Sequence, residues 1–497
     1  MRHPWTIGAL TVGGLVGACV DLEPYRCSTD EQCTSVVVPG RCEATGFCSY
    51  PDEQCDSGRR YGDLARPDLA RECVPDDDSG SSGVVPTGSS GPGSTSEATE
   101  GSSEESTASD TGIPVCGNGV VEGDEECDEL DGVDGDGCNT DCIASGSARW
   151  TGLVSDKSGT ADRLFGLVRL ATGDVVAVGY TEASSRNVLL SRWTVDGSEV
   201  QRAAYDVGGG RDEAEAVTQD GVGRLWVCGR AAIAGISRPW VGRWDAALTD
   251  DPAVDEALPA AVDGTCHDIV HLEGSSFAAA GGSGTQAWAY RFSSSNVTGG
   301  TAAIPVAPMG RSGQSRLKAA VRDGSGALLF AGQDEEVGVA FEPLAPGNLG
   351  PSLVLLPTTQ LQSMAVTDDT IVLAGWHAEP TSNDDLWISA HDRDGTERWH
   401  YTVPRRPLVD EVEDIALDPA GNVYAIGHVS NDDPDRWVGK LDPEGNLVWE
   451  REDYEGWPDG PDRGRSIVVL PDGDLIVVGE VSGEGGFLDG WIARLAP

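Results

Sequence analysis

The chain has 497 residues, of which 82 are acidic and 34 are lysine or arginine, giving a formal net charge of −48. A field of that sign repels nucleic-acid phosphates and anionic membrane surfaces, so it argues against both classes of partner. The charge favours solubility and does not by itself select a function.

The first nineteen residues read as an export signal with a basic residue, Arg2, ahead of an apolar stretch from Trp5 to Val16. That stretch is too short to span a bilayer comfortably. Val16-Gly17-Ala18-Cys19 resembles the lipobox of bacterial lipoproteins, which implies cleavage before Cys19 and lipidation of its thiol. An ordinary secretory signal cut near Ala18 is the alternative. We expect an exported protein anchored by lipid to the outer membrane or cell surface.

The cysteines other than Cys19 fall into even groups, which in an exported chain predicts disulfides rather than metal sites. Zinc sites favour CxxC pairs, and neither cluster has one. The candidates are Cys27, Cys33, Cys42, Cys48, Cys55 and Cys73, then Cys116, Cys127, Cys138 and Cys142, then Cys228 and Cys266. The pairing within the clusters is left open. For the last two, one disulfide is slightly favoured over two buried thiols.

Residues 20–75 are predicted to form a small disulfide-rich module, since this stretch has too few large apolar residues to build a core alone. The run FCSYPDEQC followed by SGRRYG resembles an N-terminal module of myxobacterial lipoproteins, a resemblance that implies no known activity. Residues 76–112 contain Ser, Gly, Thr, Pro and acid without aromatic or basic side chains. We interpret them as a disordered spacer.

Residues 113–145 contain CGNGVVEGDEECDELDGVDGDGCNTDC, which resembles the myxobacterial cysteine-rich disulfide repeat. The stretch is predicted to be a small clasp between spacer and head. Asp134 and Asp136 alternate with glycines as in a calcium loop, so they are weak calcium candidates. An EF-hand would require a glutamate six residues after its glycine, and none follows here, so ordinary turn chemistry is the favoured interpretation.

From residue 146 to residue 497 the chain repeats with a period of about fifty residues, typical of a propeller. A recurring aspartate precedes two glycines, as in Asp410, Gly421 and Gly427. Seven units result, each predicted to have four antiparallel strands, so the predicted fold is all-β and a seven-bladed β-propeller. The opening segment ARWTGLVSD matches the fourth strand that the last unit lacks, which predicts that it closes the ring.

The repeats resemble bacterial extracellular propeller repeats and, more loosely, blades of quinoprotein-type propellers. The sequence has no vicinal cysteine pair, GxSxG, HExxH or Walker loop. We therefore expect a non-catalytic protein without a cofactor other than calcium. His267 and His271, spaced i and i+4, are predicted to lie on one strand, where they would be too far apart to chelate one ion. We therefore interpret them as strand histidines whose hydrogen bonds are satisfied.

The residue after the second glycine occupies an equivalent place in each unit and is predicted to face one rim. Loops on a rigid ring are free to vary there, and aromatic and cationic groups favour a partner site. The alternative is that variable positions simply collect variable residues. The recurring aspartates Asp162, Asp212, Asp410 and Asp462 are expected to cap turns. The rim candidates are Tyr180, Arg230, Gln333, Trp376, His428 and Glu480, with Gly282 in the third unit.

The sequence thus predicts a monomeric propeller head that binds a protein or glycan at the cell surface. Two other functions remain open. One is an extracytoplasmic propeller enzyme, such as a lyase or a quinoprotein-like oxidoreductase. The other is a purely structural or assembly lipoprotein.

Overall fold

The computed structural model describes the propeller region almost completely and the N-terminal region in short pieces. The described residues are 41–43, 47–51, 59–61, 74, 116–118, 121, 125–129, 132–155 and 160–497, the last range with gaps at 183–184, 250, 259–263, 284–286, 307–314, 335–336, 342–351, 358, 379–383, 403–408, 431–433, 453–459 and 484–486. They contain strands and turns but no helix, and so no helix able to cross a membrane. The chain divides into two units, 1–107 and 108–497.

The first unit shows one small antiparallel sheet of three strands. Cys48, on its middle strand, is disulfide-bonded as predicted. The predicted signal with Cys19, the spacer at 76–112, and Cys27, Cys33, Cys55 and Cys73 lie outside the described residues. The strands are β1 (Arg41–Cys42), β2 (Cys48–Pro51) and β3 (Arg59–Tyr61).

The second unit folds as a β-propeller. Within its described residues the strands form seven four-stranded antiparallel sheets. We number the sheets 1 to 7 by their first strands in chain order. Sheet 1 contains β5 (Asp162–Arg169), β6 (Val175–Glu182), β7 (Arg186–Trp193) and β8 (Glu199–Tyr205); sheet 2 contains β9 (Glu213–Gln219), β10 (Leu225–Ile233), β11 (Ile236–Trp244) and β12 (Val254–Ala257); sheet 3 contains β13 (Thr265–His271), β14 (Ser276–Gly282), β15 (Ala287–Ser293) and β16 (Asn296–Val306).

The other four sheets repeat the same order. Sheet 4 contains β17 (Ser315–Arg322), β18 (Leu328–Asp334), β19 (Val337–Phe341) and β20 (Ser352–Pro357); sheet 5 contains β21 (Thr359–Val366), β22 (Thr370–Ala378), β23 (Asp384–Asp392) and β24 (Glu397–Thr402); sheet 6 contains β25 (Glu411–Leu417), β26 (Val423–Ser430), β27 (Pro434–Leu441) and β28 (Leu447–Glu452); sheet 7 contains β29 (Arg463–Val469), β30 (Leu475–Ser482), β31 (Leu488–Leu495) and β4 (Ala148–Val154). The first strand of each sheet contacts the first strand of the next, and β29 contacts β5.

The two glycines of each repeat have different physical roles, which sheet 6 illustrates. Gly421 lies in the turn between β25 and β26 with φ +90°, a conformation that costs glycine little and other residues much. Gly427 lies where β26 passes a bulge in β25, and a Cβ there would overlap the carbonyl oxygen of Glu411. The spacing that reveals the repeat is therefore set by one turn and one close backbone approach.

Large aromatic side chains of the third strands fill the space between neighbouring sheets. Each such ring removes about 200 Å² from water, worth roughly 5 kcal/mol before chain entropy is counted. Trp437 of β27 is buried with Val412, Ile415 and Ala425, and its indole N–H donates to Glu450 at 2.9 Å. The equivalent buried tryptophans are Trp240, Trp288, Trp387 and Trp491.

Three of the four recurring aspartates, Asp212, Asp410 and Asp462, accept backbone N–H groups, as predicted. Asp212, Asp410 and Asp462 each accept the N–H of a residue twenty positions further on, in the second strand of the same sheet, at 2.7–2.8 Å. Their own N–H groups donate across to the third strand of the preceding sheet, for example from Asp462 to the Pro434 carbonyl at 2.7 Å. The repeated aspartate therefore joins two strands of its own sheet and ties that sheet to its neighbour.

The first strand of the head completes the last sheet, which confirms the predicted closure. β4 pairs with β31 in antiparallel register, with Trp150 opposite Arg494. The clasp beside this junction carries two disulfides, Cys116–Cys142 and Cys127–Cys138.

The clasp also contacts the propeller directly. The Lys440 ammonium donates to the Gly135 carbonyl at 2.6 Å, and Arg451 donates to the Ser145 carbonyl at 2.9 Å. Gly146 N–H donates to the Ala496 carbonyl at 3.0 Å. The clasp is thus attached to sheet 6 and to the residue that follows β31 of sheet 7.

A third disulfide joins Cys228 of β10 to Cys266 of β13, which confirms the favoured alternative for this pair. The bond connects sheets 2 and 3, and both residues are completely buried. Disulfides of this kind form and persist in oxidising compartments, which places the head outside the cytoplasm.

Candidate functional site

One cavity of about 250 Å³ lies where the seven first strands meet. Every first strand contributes one side chain at the same repeat position, and the chemistry of that side chain differs from sheet to sheet. We call this set the channel ring. It consists of Phe165, Glu215, His267, Lys318, Gln362, Glu413 and Arg465.

A β-bulge places each of these side chains at the cavity. In β5 the register with β6 shifts between Leu164 and Gly166, so that Phe165 has no partner opposite it. The same shift brackets the channel-ring residue in the other six first strands. Bulges bend a strand and redirect one side chain, and they are frequent beside functional sites.

Charge pairs hold one side of the channel ring together. Arg465 contacts Glu413, and its other guanidinium nitrogen donates to Glu480 at 2.8 Å. Glu480 also pairs with Arg163 at 3.0 Å. Burial opposes the charge on Arg465, but the two carboxylates overcome this effect and raise its pKa. This side of the ring is a closed ion-pair network.

The other side of the channel ring is different, because no hydrogen bond or close ion pair holds its three polar side chains among the described residues. Glu215, His267 and Lys318 make no hydrogen bond and no ion pair within the described part of the chain. Burial raises the pKa of Glu215, and it lowers the pKa of His267 well below its usual range, helped by the nearby charge of Lys318. An acid, a neutral imidazole and an amine therefore face the cavity side by side.

The prediction that His267 is a strand histidine with satisfied hydrogen bonds is wrong. It lies on β13 as expected, but its Nδ1 atom is buried without a hydrogen-bond partner among the described residues. His271 is satisfied instead, because its Nε2 atom lies 3.2 Å from the Gly274 carbonyl and its ring packs on Phe277. Buried polar atoms without partners are rare in folded proteins, so the exception at His267 points to the cavity.

Two partly buried aspartates beneath the channel ring connect neighbouring sheets. Asp268 accepts the N–H of Ala320, from the next sheet, at 2.7 Å. Asp414 accepts the hydroxyls of Ser363 and Ser466, from the sheets on either side, at 2.7 and 2.8 Å. Burial raises the pKa of both carboxyls, that of Asp268 to about 7.

This raised pKa predicts a pH dependence of stability with a definite sign. Between the ordinary aspartate pKa and about 7, the unfolded chain has lost the Asp268 proton that the folded chain retains. The stabilising contribution of this group is therefore full below pH 4 (roughly) and is lost as pH rises through 7. Asp268→Asn, neutral at every pH, should lose less free energy of unfolding than the unsubstituted protein between about pH 5 and pH 8.

Urea titrations of both proteins at the two pH values check this expectation. Asp394→Asn, which replaces an exposed aspartate, is the control and should follow the unsubstituted protein. Equal losses for Asp268→Asn and the control would contradict the prediction.

The predicted rim residues lie at one end of the second strands, but most of them are buried. Tyr180, Gln333, His428 and Glu480 have exposed fractions of 2%, 6%, 3% and 1%. Arg230 is partly exposed and pairs with Glu213 at 2.7 Å. Trp376 is also partly exposed. The expectation of an exposed rim is therefore corrected for four of the six positions, because other side chains cover them, as Arg186 and Phe165 cover the Tyr180 ring.

The buried rim residues have structural partners at the mouth of the cavity. The Tyr180 ring lies 3.9 Å from the Arg186 guanidinium and 5.7 Å from the Phe165 ring. Arg186 also contacts Glu213, as does Arg230. Burial alone would raise the Glu213 pKa, and these two arginines lower it below its usual value. Tyr180 therefore supports the channel ring from one side.

The weak calcium candidates lie in the clasp. Both Asp134 and Asp136 are exposed. Asp134 accepts the N–H of Thr140 at 2.7 Å, which is the turn chemistry favoured by the sequence. The negative charge of Asp136 acts on the buried Lys440 ammonium. Calcium binding at these residues stays a prediction.

The spacing of the repeat could have identified the channel ring, which the sequence analysis did not single out. Each channel-ring residue lies three positions after the recurring aspartate, as in Asp162 and Phe165, or after the serine, threonine or glycine that replaces it. The same register identified the position after the second glycine. Which of the two positions faces the cavity depends on the bulge, and residue types alone do not reveal a bulge.

No family model and no curated protein matches the chain. Several solved structures resemble it at low identity. Sqt1 from Chaetomium thermophilum, bound to the N-terminus of ribosomal protein L10, is 12% identical with a TM-score of 0.41 and covers 69% of this chain and 99% of its own. A protein of unknown function from Dyadobacter fermentans is 10% identical with a TM-score of 0.45 over 71% and 100%. A Bacteroides fragilis protein provisionally assigned as a 6-phosphogluconolactonase is 13% identical with a TM-score of 0.41 over 68% and 95%. These likenesses concern the fold alone.

Proposed function

We propose that the protein is a non-catalytic, exported and lipid-anchored binding protein whose seven-bladed propeller head captures a protein or glycan at the channel ring. The lipobox ending at Cys19 supplies the lipid anchor, and the acidic spacer at 76–112 holds the head at a distance from the membrane. The seven four-stranded sheets, each giving its first strand to one cavity, support a ring of seven blades.

The observation that carries the binding role is the set of Glu215, His267 and Lys318. The Nδ1 atom of His267 is buried without a partner among the described residues, which costs free energy unless a ligand completes it. Glu215 offers an acceptor, Lys318 offers donors, and a neutral imidazole offers one of each. This part of the channel ring therefore suits a ligand with both hydroxyl and carbonyl or amide groups.

The size of the cavity limits what enters it. A volume of about 250 Å³ lies just below the range of small-molecule pockets. One sugar residue of a glycan, or one side chain of a protein, fits that space better than a large cofactor. The rest of such a partner would lie on the surrounding face, where Arg230 and Trp376 are partly exposed.

The test is a binding screen of the full chain on a glycan array and a displayed peptide library. Lys318→Met and Glu215→Gln keep side-chain size while removing charge, so both should weaken a specific hit at least about tenfold, the cost of one lost charged hydrogen bond. Trp376→Ala should weaken it less. Arg398→Met, on an exposed edge away from the cavity, is the control.

Hits that bind Lys318→Met and Glu215→Gln as tightly as the unsubstituted protein would contradict the assignment of the channel ring. The absence of any hit in both libraries would favour the structural or assembly alternative. Circular dichroism of each variant establishes that the propeller is folded before its affinity is compared.

The enzymatic alternative rests on the same three residues. A lyase requires a general base and a general acid beside one substrate, and a carboxylate next to a neutral imidazole fits that requirement. The two functions are distinguished by incubating any glycan hit with the protein and looking for an unsaturated sugar product. If such a product forms with the unsubstituted protein and not with His267→Ala, the protein is an enzyme rather than a binding protein.

A further inference from the structure

Beside the closed side of the channel ring, two carboxylates and one imidazole come together in sheet 6. Glu411 and Glu413 lie on β25, one residue apart, and His428 lies on β26 directly opposite Glu411. A carboxylate oxygen of each glutamate and a ring nitrogen of His428 all lie within 4.8 Å of one another. Ligands of one tetrahedral zinc ion are about 3.4 Å apart, so small side-chain rotations bring the three groups into bonding range.

His428 provides an observation independent of the acidic pair. The residue is only 3% exposed, and its Nδ1 atom has no hydrogen-bond partner among the described residues. A ring nitrogen without a proton has a lone pair to offer a metal, and histidine is the commonest metal ligand in proteins. An unsatisfied buried nitrogen beside two carboxylates is what a metal ion would complete.

The neighbours of the two glutamates orient them. The Gln362 amide donates to Oε1 of Glu411, and Arg465 contacts Oε1 of Glu413. Outer contacts of this kind fix the direction of metal-binding carboxylates. Two carboxylates held this close repel each other when both are charged, and a cation between them would offset that repulsion.

We infer that Glu411, Glu413 and His428 form a binding site for one divalent transition-metal ion at the mouth of the central cavity. One nitrogen and two oxygens suit zinc or a similar ion, whereas calcium requires six to eight oxygens. Three protein ligands leave a position open for water or for a polar group entering the cavity. The positive charges of Arg463 and Arg465 oppose the ion and limit its affinity.

The inference is tested on the full chain after removal of metals with a chelator. Zinc is titrated against a chromophoric competitor, and cobalt serves as a visible probe of the ligand set. We expect about one equivalent bound, with Glu411→Gln and His428→Ala each weakening zinc at least about tenfold. Glu411→Gln keeps the shape of the side chain and addresses the concern that His428→Ala disturbs folding.

The matched control is the double variant Glu397→Gln/His400→Ala, which removes a glutamate and a histidine that pair at 2.7 Å on the exposed strand β24. This control should bind zinc like the unsubstituted protein. A second acidic group, Glu125 and Asp128 next to the disulfide-bonded Cys142, is tested with Asp128→Asn.

The inference is overturned if the unsubstituted protein binds less than about one-tenth of an equivalent, or if Asp128→Asn removes the binding while Glu411→Gln retains it. Because the readout is metal affinity and not partner binding, the site can fail while the proposed function stands. If Lys318→Met loses partner binding and keeps its zinc affinity, the partner site and the metal site are shown to be independent.

Discussion

Replacing Arg465 by alanine is expected to lower the free energy of unfolding by about 3–5 kcal/mol, the cost of breaking a buried ion pair from one side. Arg465 pairs with Glu413 and with Glu480, whose side chains are 13% and 1% exposed. Without the guanidinium, two largely buried carboxylates would repel each other at the mouth of the cavity. Urea or guanidinium titration of the full chain measures the change.

A control and a rescue make this expectation specific. Arg398→Ala breaks ion pairs with Asp392 and Asp369, which are 45% and 76% exposed, and should cost no more than about 1 kcal/mol. Combining Arg465→Met with Glu413→Gln should recover part of the loss, because Glu480 keeps its ion pair with Arg163 and Glu413 is no longer charged. If Arg465→Ala and Arg398→Ala had equal effects, the closed network would contribute nothing to stability.

The second large effect is expected from the disulfide between sheets 2 and 3. Cys228→Ala/Cys266→Ala should lower the free energy of unfolding by about 2–4 kcal/mol. The bond closes a loop with a sequence separation of 38 residues, so its removal enlarges the unfolded ensemble while leaving the native sheets in place. Denaturant titration under non-reducing conditions measures the loss.

The burial of the two sulfurs adds a second expectation for the same bond. Both cysteines are 0% exposed, so a reductant should not reach them in the folded protein. Alkylation after mild reduction should therefore label this pair only in denaturant. Equal denaturation midpoints for the double variant and the unsubstituted protein would show that the repeat contacts alone hold sheets 2 and 3 together.

The architecture of the head was predictable because the strands and turns of each repeat are specified by residues within that repeat. Gly421 marks a turn that needs positive φ, and Asp410 marks a strand start, and both recur at fixed spacing. Closure by the segment from Ala148 followed from counting strands, since the last unit lacked one. These features depend on the backbone within a unit, which short-range sequence patterns specify.

The candidate site was less predictable, because it depends on which way a side chain points after a bulge. The rim prediction selected Tyr180 and Glu480, which the structure buries under neighbouring sheets. His267 was interpreted as satisfied, and it faces the cavity with an unpartnered nitrogen. A shift of one residue in register moves a strand's side chains to the opposite face of the sheet, and no residue type indicates where such a shift occurs.

The sequence by itself determined the order of the repeats, the even disulfide groups and the strand that closes the last sheet, because each follows from composition or spacing along the chain. Only the tertiary structure brought Phe165, Glu215 and Lys318 to one cavity, and Glu411 opposite His428. Residues far apart in the chain meet there because first strands of different sheets converge, and that convergence is a property of the ring rather than of any one repeat.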